Sequence, residues 1–453
     1  MFNLIFLVAT VTTYGCPQVL NDTIAATEAN YAGTRAKLPD GPATNYYRNF
    51  KALLAEDAPG LDPLACKRLL DRYIGFFADH HLFVANNHHR MPVLPAMIKD
   101  WDRPSVTKYL SDNATHLDPL EGFWYDVNGA LAVVREPGNA NRLLGFRPAT
   151  ETEAAKLLAT FERGHGGIEV MYEHAEWGWQ NAEAGLHRDD TLLIFGLTGW
   201  GRASDSLSTV DPLAPVFRDL GDGIYYLSMP SFLEPYRAPL NAIIATHGSE
   251  LAQAKGVVFD VRGNAGGNAI YFPLADYFLA EDIQIGSATD ILVSESTTGF
   301  LERFRERMGQ HGGWLDEPLA RIHAADNGEL IPFREASYDG NESYSAKPEK
   351  VVVLQDRGTG SAAEAFLFHA GQSSKVVTAG QPSRGNIDYM QVTMLKLGEG
   401  DFSYWFGYPL YAKRSLPEES IDDEGYAPDI RLAQDQDWVS WSKRWLLQAT
   451  GDE

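Results

Sequence analysis

The chain has little cysteine, little positive charge and no long apolar run, and each shortage removes a class of protein. Only two cysteines occur, Cys16 and Cys66, which excludes a disulfide-dense scaffold and a four-thiolate zinc site. Lysine and arginine total 38 against 61 acidic residues, for a formal net charge of −23. A chain this acidic is repelled by phosphate backbones and anionic lipid, which argues against a nucleic-acid partner. Beyond the N-terminus no stretch is long and apolar enough to be an integral membrane span. What remains is ordinary globular composition, 44% hydrophobic and 22% charged over 453 residues. That length sets a prior of two or three domains.

The first basic side chain is Arg35. Ahead of it Phe2, Leu4, Ile5, Phe6, Leu7 and Val8 form an apolar run of signal-peptide length, although a basic n-region is missing. Gly15-Cys16 resembles a lipoprotein cleavage site. The expectation is an export segment over 1–22, either a signal peptide or a lipoprotein signal with a lipid anchor at Cys16. The location would be extracytoplasmic: periplasmic, secreted or lipid-anchored. Without lipidation, Cys16 and Cys66 can form a disulfide in an oxidising compartment. The plain alternative is a buried N-terminal strand or helix.

Residues 23–115 read as a helical region. Tyr47, Phe50, Leu53 and Leu54 recur at helical spacing, as do Leu69, Leu70, Tyr73, Ile74 and Phe77. Over 116–215 the texture changes to short aromatic and glycine-rich runs. Gly122-Phe-Trp-Tyr-Asp-Val, Asn128-Gly129 and Ala130-Leu-Ala-Val-Val-Arg predict a hairpin with a type I′ turn. This is an all-β module, a small barrel or sandwich. From 216 to 435 apolar runs of buried-strand length, including Val257–Val261 and Val351–Leu354, alternate with helical stretches. That pattern predicts an α/β domain with a covered parallel sheet. Residues 436–453 read as a helix carrying Trp438, Trp441, Trp445 and Leu446 on one face.

Two segments could carry chemistry. Asp260-Val-Arg-Gly-Asn-Ala-Gly-Gly267 follows a buried strand, and its glycines permit close backbone approach and anion-facing N–H groups. It has neither dinucleotide-fingerprint nor P-loop spacing, so a plain strand-closing turn is its bland reading. Gly358-Thr-Gly-Ser361-Ala-Ala-Glu364 follows a second strand and opens a helix. Ser361 there is either an N-cap, with Glu364 completing a capping box, or an exposed nucleophile whose neighbouring Ala362 N–H points at a nascent oxyanion.

Together these segments resemble the tail-specific, or C-terminal-processing, serine protease family, which includes the tricorn core. The family's Asp-Leu-Arg-Gly-Asn-x-Gly-Gly stands here as Asp260–Gly267, and its Ser-Ala-x-Glu as Ser361–Glu364. Its Gly-x-x-Thr-x-Gly loop stands as Gly380–Gly385 with Ser383 for Thr. Its acid-x-x-Gly-x-x-Pro-Asp stands as Asp422–Asp429. The resemblance spans roughly 223–432. It implies a crotonase/ClpP-like α/β catalytic domain, here with an N-terminal helical region and an inserted all-β module. It implies a serine-type endopeptidase acting on a peptide or protein substrate, with no metal and no cofactor.

One position departs from the family's Ser-Lys dyad, because Asn386 stands where the lysine would be. The resemblance then points to the branch using an upstream histidine, and Ala78-Asp-His-His81-Leu matches its motif with His81 as base. Neutral imidazole suits that role near pH 7. A carboxylate must orient it, either Asp422 or Glu364, with Asp422 favoured by its motif position. Ala362, Gly266 and Gly267 are the expected oxyanion donors. His80-His81 with His88-His89 is a weak alternative metal pair. Two rival readings remain: a non-catalytic ligand-binding protein on the same fold, and an esterase using Ser361.

Overall fold

The structure is a computed structural model that describes residues 14–38, 41–42, 44–86, 94–126, 129–163, 168–174, 178–187, 191–194, 198–202, 211–339, 344–422 and 424–451. The chain divides into two units. The first comprises Met1–His88, Leu292–Ile331 and Gln391–Leu410; the second comprises His89–Ile291, Pro332–Met390 and Tyr411–Glu453.

The first unit is mainly helical, with helices Cys16–Asn30, Asn45–Asp57, Pro63–Gly75, Glu295–Met308 and Asp316–Ala324. Pro63–Gly75 starts where the sequence supplies both start signals: Asp62 accepts the Ala65 N–H, and Pro63 occupies the first turn. Its Leu69, Leu70, Tyr73 and Ile74 are buried. On Asn45–Asp57 the buried positions are Tyr47 and Leu54, one heptad apart, while Leu53 is exposed. The stripe is therefore narrower than the run of apolar residues suggests, because one residue's turn carries Leu53 off the buried line. Tyr47 and Tyr73 meet through their hydroxyls at 2.7 Å. Cys16 and Cys66 are joined in a disulfide that pins the first helix to Pro63–Gly75. This corrects the lipid anchor considered for Cys16, which needs a free thiol. Helix Cys16–Asn30 also begins inside the segment 1–22 read as an export signal. No helix among the described residues is long and apolar enough to cross a membrane.

The second unit holds two architectures. Eight strands between Gly122 and Gly201 run as an antiparallel meander. Its last strand pairs back on the first, Tyr125 opposite Gly201, so the module is a closed barrel rather than a sandwich. Alternation sorts its side chains: Leu131, Val133, Phe161 and Val170 share one core, while Ala132, Val134, Leu144 and Phe146 pack with Ile98 and Val106. The hairpin joining Gly122–Asp126 to Gly129–Arg135 forms, with Asp126 opposite Gly129; Asn128 lies outside the described residues. Buried Glu121 accepts the Tyr109 hydroxyl and the Asp118 and Arg135 N–H groups, so the Glu-Gly-Phe-Trp stretch has a structural job.

The other architecture is a six-stranded sheet in the order Val216–Asp219, Ile224–Ser228, Gly256–Asp260, Lys350–Gln355, Val376–Gly380, Ile430–Arg431. The first pair is antiparallel and the remaining pairs are parallel. Both faces are covered, which is why the strands read as unbroken apolar runs. Val257, Phe259, Val351 and Val353 face one core with Leu240 and Phe366. Val258, Val352 and Leu354 face the other, with Trp438 and Leu446 of helix Trp438–Ala449. In a parallel sheet, functional loops gather at the carboxyl ends of the strands.

Candidate active site

Gly256–Asp260 and Lys350–Gln355 are adjacent and in register, with Asp260 opposite Leu354, so the loops that follow them leave side by side. Each is braced before it reaches the other. Both oxygens of buried Asp260 accept from the Arg262 guanidinium, at 2.9 and 2.6 Å, and Tyr226 adds a third bond at 2.8 Å. Burial opposes the Arg262 charge, but Asp260 outweighs it and holds the guanidinium above its ordinary range. Asp356 accepts the Gly263 and Gly358 N–H groups at 2.8 and 2.9 Å, and the Gly360 N–H donates to the Asn264 carbonyl at 2.9 Å. The two loops are one hydrogen-bonded body.

Ser361 sits at the end of this body, as the residue before helix Ala362–Ala370. Its backbone has φ 52° and ψ −119°. An ordinary N-cap has extended dihedrals, and a positive φ on a residue with a Cβ costs about 1–3 kcal/mol. Such strain is retained where the surroundings impose it, and here two acceptors do. The Ser361 N–H donates to Asn386 Oδ1 at 2.6 Å and to Glu364 Oε2 at 3.2 Å.

Glu364 does more than complete a capping box. It is fully buried, its Oε1 accepts from Ser383 Oγ at 2.7 Å and the Gly385 N–H at 2.6 Å, and its Oε2 accepts the Asn386 N–H at 2.9 Å. With the Ser361 N–H that makes four donors on one carboxylate. This corrects Glu364 as a candidate to orient a base: its lone pairs are spent holding the Ser361 turn against the Ser383–Asn386 loop.

The glycines explain themselves by contact. A Cβ on Gly266 (φ +105°) would lie 2.7 Å from Ser361 Cβ and 2.8 Å from the Ala362 nitrogen. One on Gly267 (φ +129°) would lie 2.4 Å from the Phe232 carbonyl carbon. The structure also separates the expected oxyanion donors. The Gly266 N–H donates to Asn264 Oδ1 at 2.9 Å, so it is already engaged, a correction to its expected role. The Ala362 N–H is the first of its helix and has no intrahelical acceptor. Around Gly267 the paired groups are Phe232 N–H with Gly266 O and Asn268 N–H with Phe232 O, leaving the Gly267 N–H outside that ladder.

Residues 223–432, which contain all of these loops, match the sequence model of peptidase family S41. This segment is a peptidase family S41 domain. Comparison with curated proteins found no match. Among solved structures, mature CPAF complexed with lactacystin is similar at 11% identity over 96% of this chain and 98% of that one, with a TM-score of 0.52. The photosystem II D1 C-terminal processing protease is 15% identical over 93% and 94%, at a TM-score of 0.39. The tricorn protease is 10% identical over 96% of this chain and 37% of its own, at 0.42. At these identities the CPAF likeness speaks for the fold alone.

Asn386 of the S41 domain, where a dyad lysine would stand, thus accepts the Ser361 amide proton, a bond that a lysine ammonium cannot make. Asp422 lies on a turn tied to the same loop: Ser383 Oγ accepts the Tyr426 N–H at 2.7 Å, and the Gly425 N–H donates to the Ile421 carbonyl at 2.8 Å. The Asp422 N–H donates to Ser420 Oγ at 3.2 Å. Residue His369, on helix Ala362–Ala370, is buried with both ring nitrogens engaged, one with Tyr271 at 3.1 Å and one with the Ile285 carbonyl at 3.0 Å. Burial holds it below its ordinary value, so it is a neutral structural imidazole.

His81 belongs to the first unit. It follows a turn opened by Ala78 at φ 47°, and its N–H donates to Oδ1 of buried Asp79 at 2.8 Å. His80 is exposed, and His88-His89 lies outside the described residues. The roles of Asn386 and Ser383 escaped the motif reading, although both stand in the Gly380–Gly385 motif or directly after it.

Proposed function

We propose that the protein is a serine endopeptidase that works through an acyl-enzyme. Ser361 Oγ bonds to the scissile carbonyl carbon while its proton passes to His81. The proton then goes to the leaving amine as the C–N bond breaks, and water hydrolyses the resulting ester to restore the serine. Asp422 steadies the imidazolium, and the Ala362 and Gly267 N–H groups hold the oxyanion, where a single donor contributes roughly 3–4 kcal/mol. The observation that carries this reading is the strained Ser361 backbone held against the Gly266–Gly267 turn at a helix start. An N-cap has no need of that conformation, whereas an exposed nucleophile does.

The Cys16–Cys66 disulfide supports an oxidising, extracytoplasmic location. A fluorophosphonate probe tests the chemistry. The wild type should be labelled and Ser361→Ala should not, and His81→Ala should slow labelling by about a thousandfold or more. Absence of labelling in the folded wild type would leave the non-catalytic reading in place.

A further inference from the structure

The segment Asn386–Asp388 reaches two places at once. At one end Asn386 holds the Ser361 amide. At the other end Asp388 is fully buried, and the reaction as proposed gives it no task. Its Oδ1 accepts from Lys413 Nζ at 2.9 Å. Its Oδ2 accepts from the Ile421 N–H at 2.7 Å and from Ser420 Oγ at 2.9 Å. Ser420 Oγ in turn accepts the Asp422 N–H at 3.2 Å. A continuous chain therefore runs Lys413, Asp388, Ser420, Asp422.

We infer that Asp388 is a positioning residue, which, neutralised by Lys413, fixes the turn carrying Asp422 at a set distance from the segment that holds Ser361. The inference rests on the reading of Asp422 as the carboxylate that steadies the base. A buried carboxylate is retained only with a partner and satisfied lone pairs. Asp388 has both, and three of its bonds serve neither a strand nor a helix. Two of them terminate on the residues immediately before Asp422. Burial works against the Lys413 ammonium, but Tyr426, Asp388 and Glu364 outweigh it and hold it above its ordinary range. The ammonium accordingly keeps its charge through the pH range in which an imidazole works.

A merely structural pair would affect melting and nothing else. A positioning pair alters the chemical step, since small misplacement of a catalytic group costs up to about a hundredfold. It also alters the base, because an imidazole that loses its carboxylate neighbour titrates lower. The test measures inactivation of the full chain by a fluorophosphonate across pH in wild type, Asp388→Asn, Ser420→Ala and Asp422→Asn. Ser420 is exposed, so its variant breaks the last link without disturbing the core.

Ser420→Ala should slow the covalent step roughly three- to tenfold and Asp388→Asn roughly ten- to a hundredfold, with initial probe affinity unchanged. In both, the acidic limb of the rate profile should move to lower pH, as in Asp422→Asn. If Asp422→Asn is impaired while folded Ser420→Ala and Asp388→Asn keep the wild-type rate and profile, the positioning role is overturned. If Asp422→Asn itself keeps the wild-type rate, the assignment of the acid fails and the inference goes with it.

Discussion

Asn386 Oδ1 lies 2.6 Å from the Ser361 amide nitrogen, and this bond replaces a lysine's place in the site with a hydrogen-bond acceptor. It holds a backbone that would otherwise relax from φ 52°. Removing it should therefore act on the nucleophile more than on the fold. Asn386→Ala should slow fluorophosphonate labelling about tenfold, the value of one lost hydrogen bond near 1.4 kcal/mol. Asn386→Lys should be slower still, because an ammonium meets the Ser361 N–H as donor against donor. Labelling of Asn386→Lys at or above the wild-type rate would show that a lysine base can be regained here and that the acceptor is dispensable.

Glu364 should behave differently. Its four donors arrive on both oxygens, so Glu364→Gln presents an NH₂ to at least one of them. Leaving buried donors unpaired in place of a charged acceptor should cost about 2–4 kcal/mol of stability. Chemical denaturation of the two proteins checks it; equal midpoints would mean that the carboxylate's network is not what holds the two loops together.

These residues also mark how far the chain could be read without a structure. Strands Gly256–Asp260 and Lys350–Gln355 were legible because a sheet covered on both faces demands unbroken apolar runs. Ser361 and the Gly266–Gly267 turn were legible because glycine and a helix-start serine carry local signatures. The bond from Asn386 was not, since it joins a side chain to an amide 25 residues away through folding of the intervening strand and loop. Glu364 three residues after Ser361 read as a capping box, which is half of its role; Ser383 and Gly385 reach it only in three dimensions. Leu53 shows the limit within a helix, where residues recurring at helical spacing include a side chain that faces water.

Gly266→Ala should abolish labelling, because the added methyl meets Ser361 Cβ and the Ala362 nitrogen, both below 3.0 Å, at a φ that alanine avoids. Neither neighbour is a flexible side-chain end, so the nucleophile turn itself must move. The variant's melting temperature and labelling rate, measured together, separate the two effects. A folded Gly266→Ala protein that labels at the wild-type rate would remove the close approach of these loops from the description of the site.

The last prediction concerns pH and the imidazole that does not take part. His369 is held below its ordinary value of 6.5 first by burial, with the bond to the Ile285 carbonyl working the other way. The unfolded chain binds this proton near 6.5 and the folded chain only at lower pH. Its contribution to stability is thus complete above about pH 6.5 and is lost as pH falls from there toward the depressed folded value. While that window lasts the slope reaches at most about 1.4 kcal/mol per pH unit. Unfolding free energies at pH 7.5, 6.5, 5.5 and 5.0 should accordingly fall more steeply for wild type than for His369→Gln, which cannot titrate. The variant starts lower at pH 7.5, since glutamine cannot reproduce both the Tyr271 and the Ile285 contacts, so the comparison is of slopes and not of levels. Parallel slopes would mean that His369 takes up its proton in the folded protein as readily as in the unfolded one, which its burial on the nucleophile helix forbids.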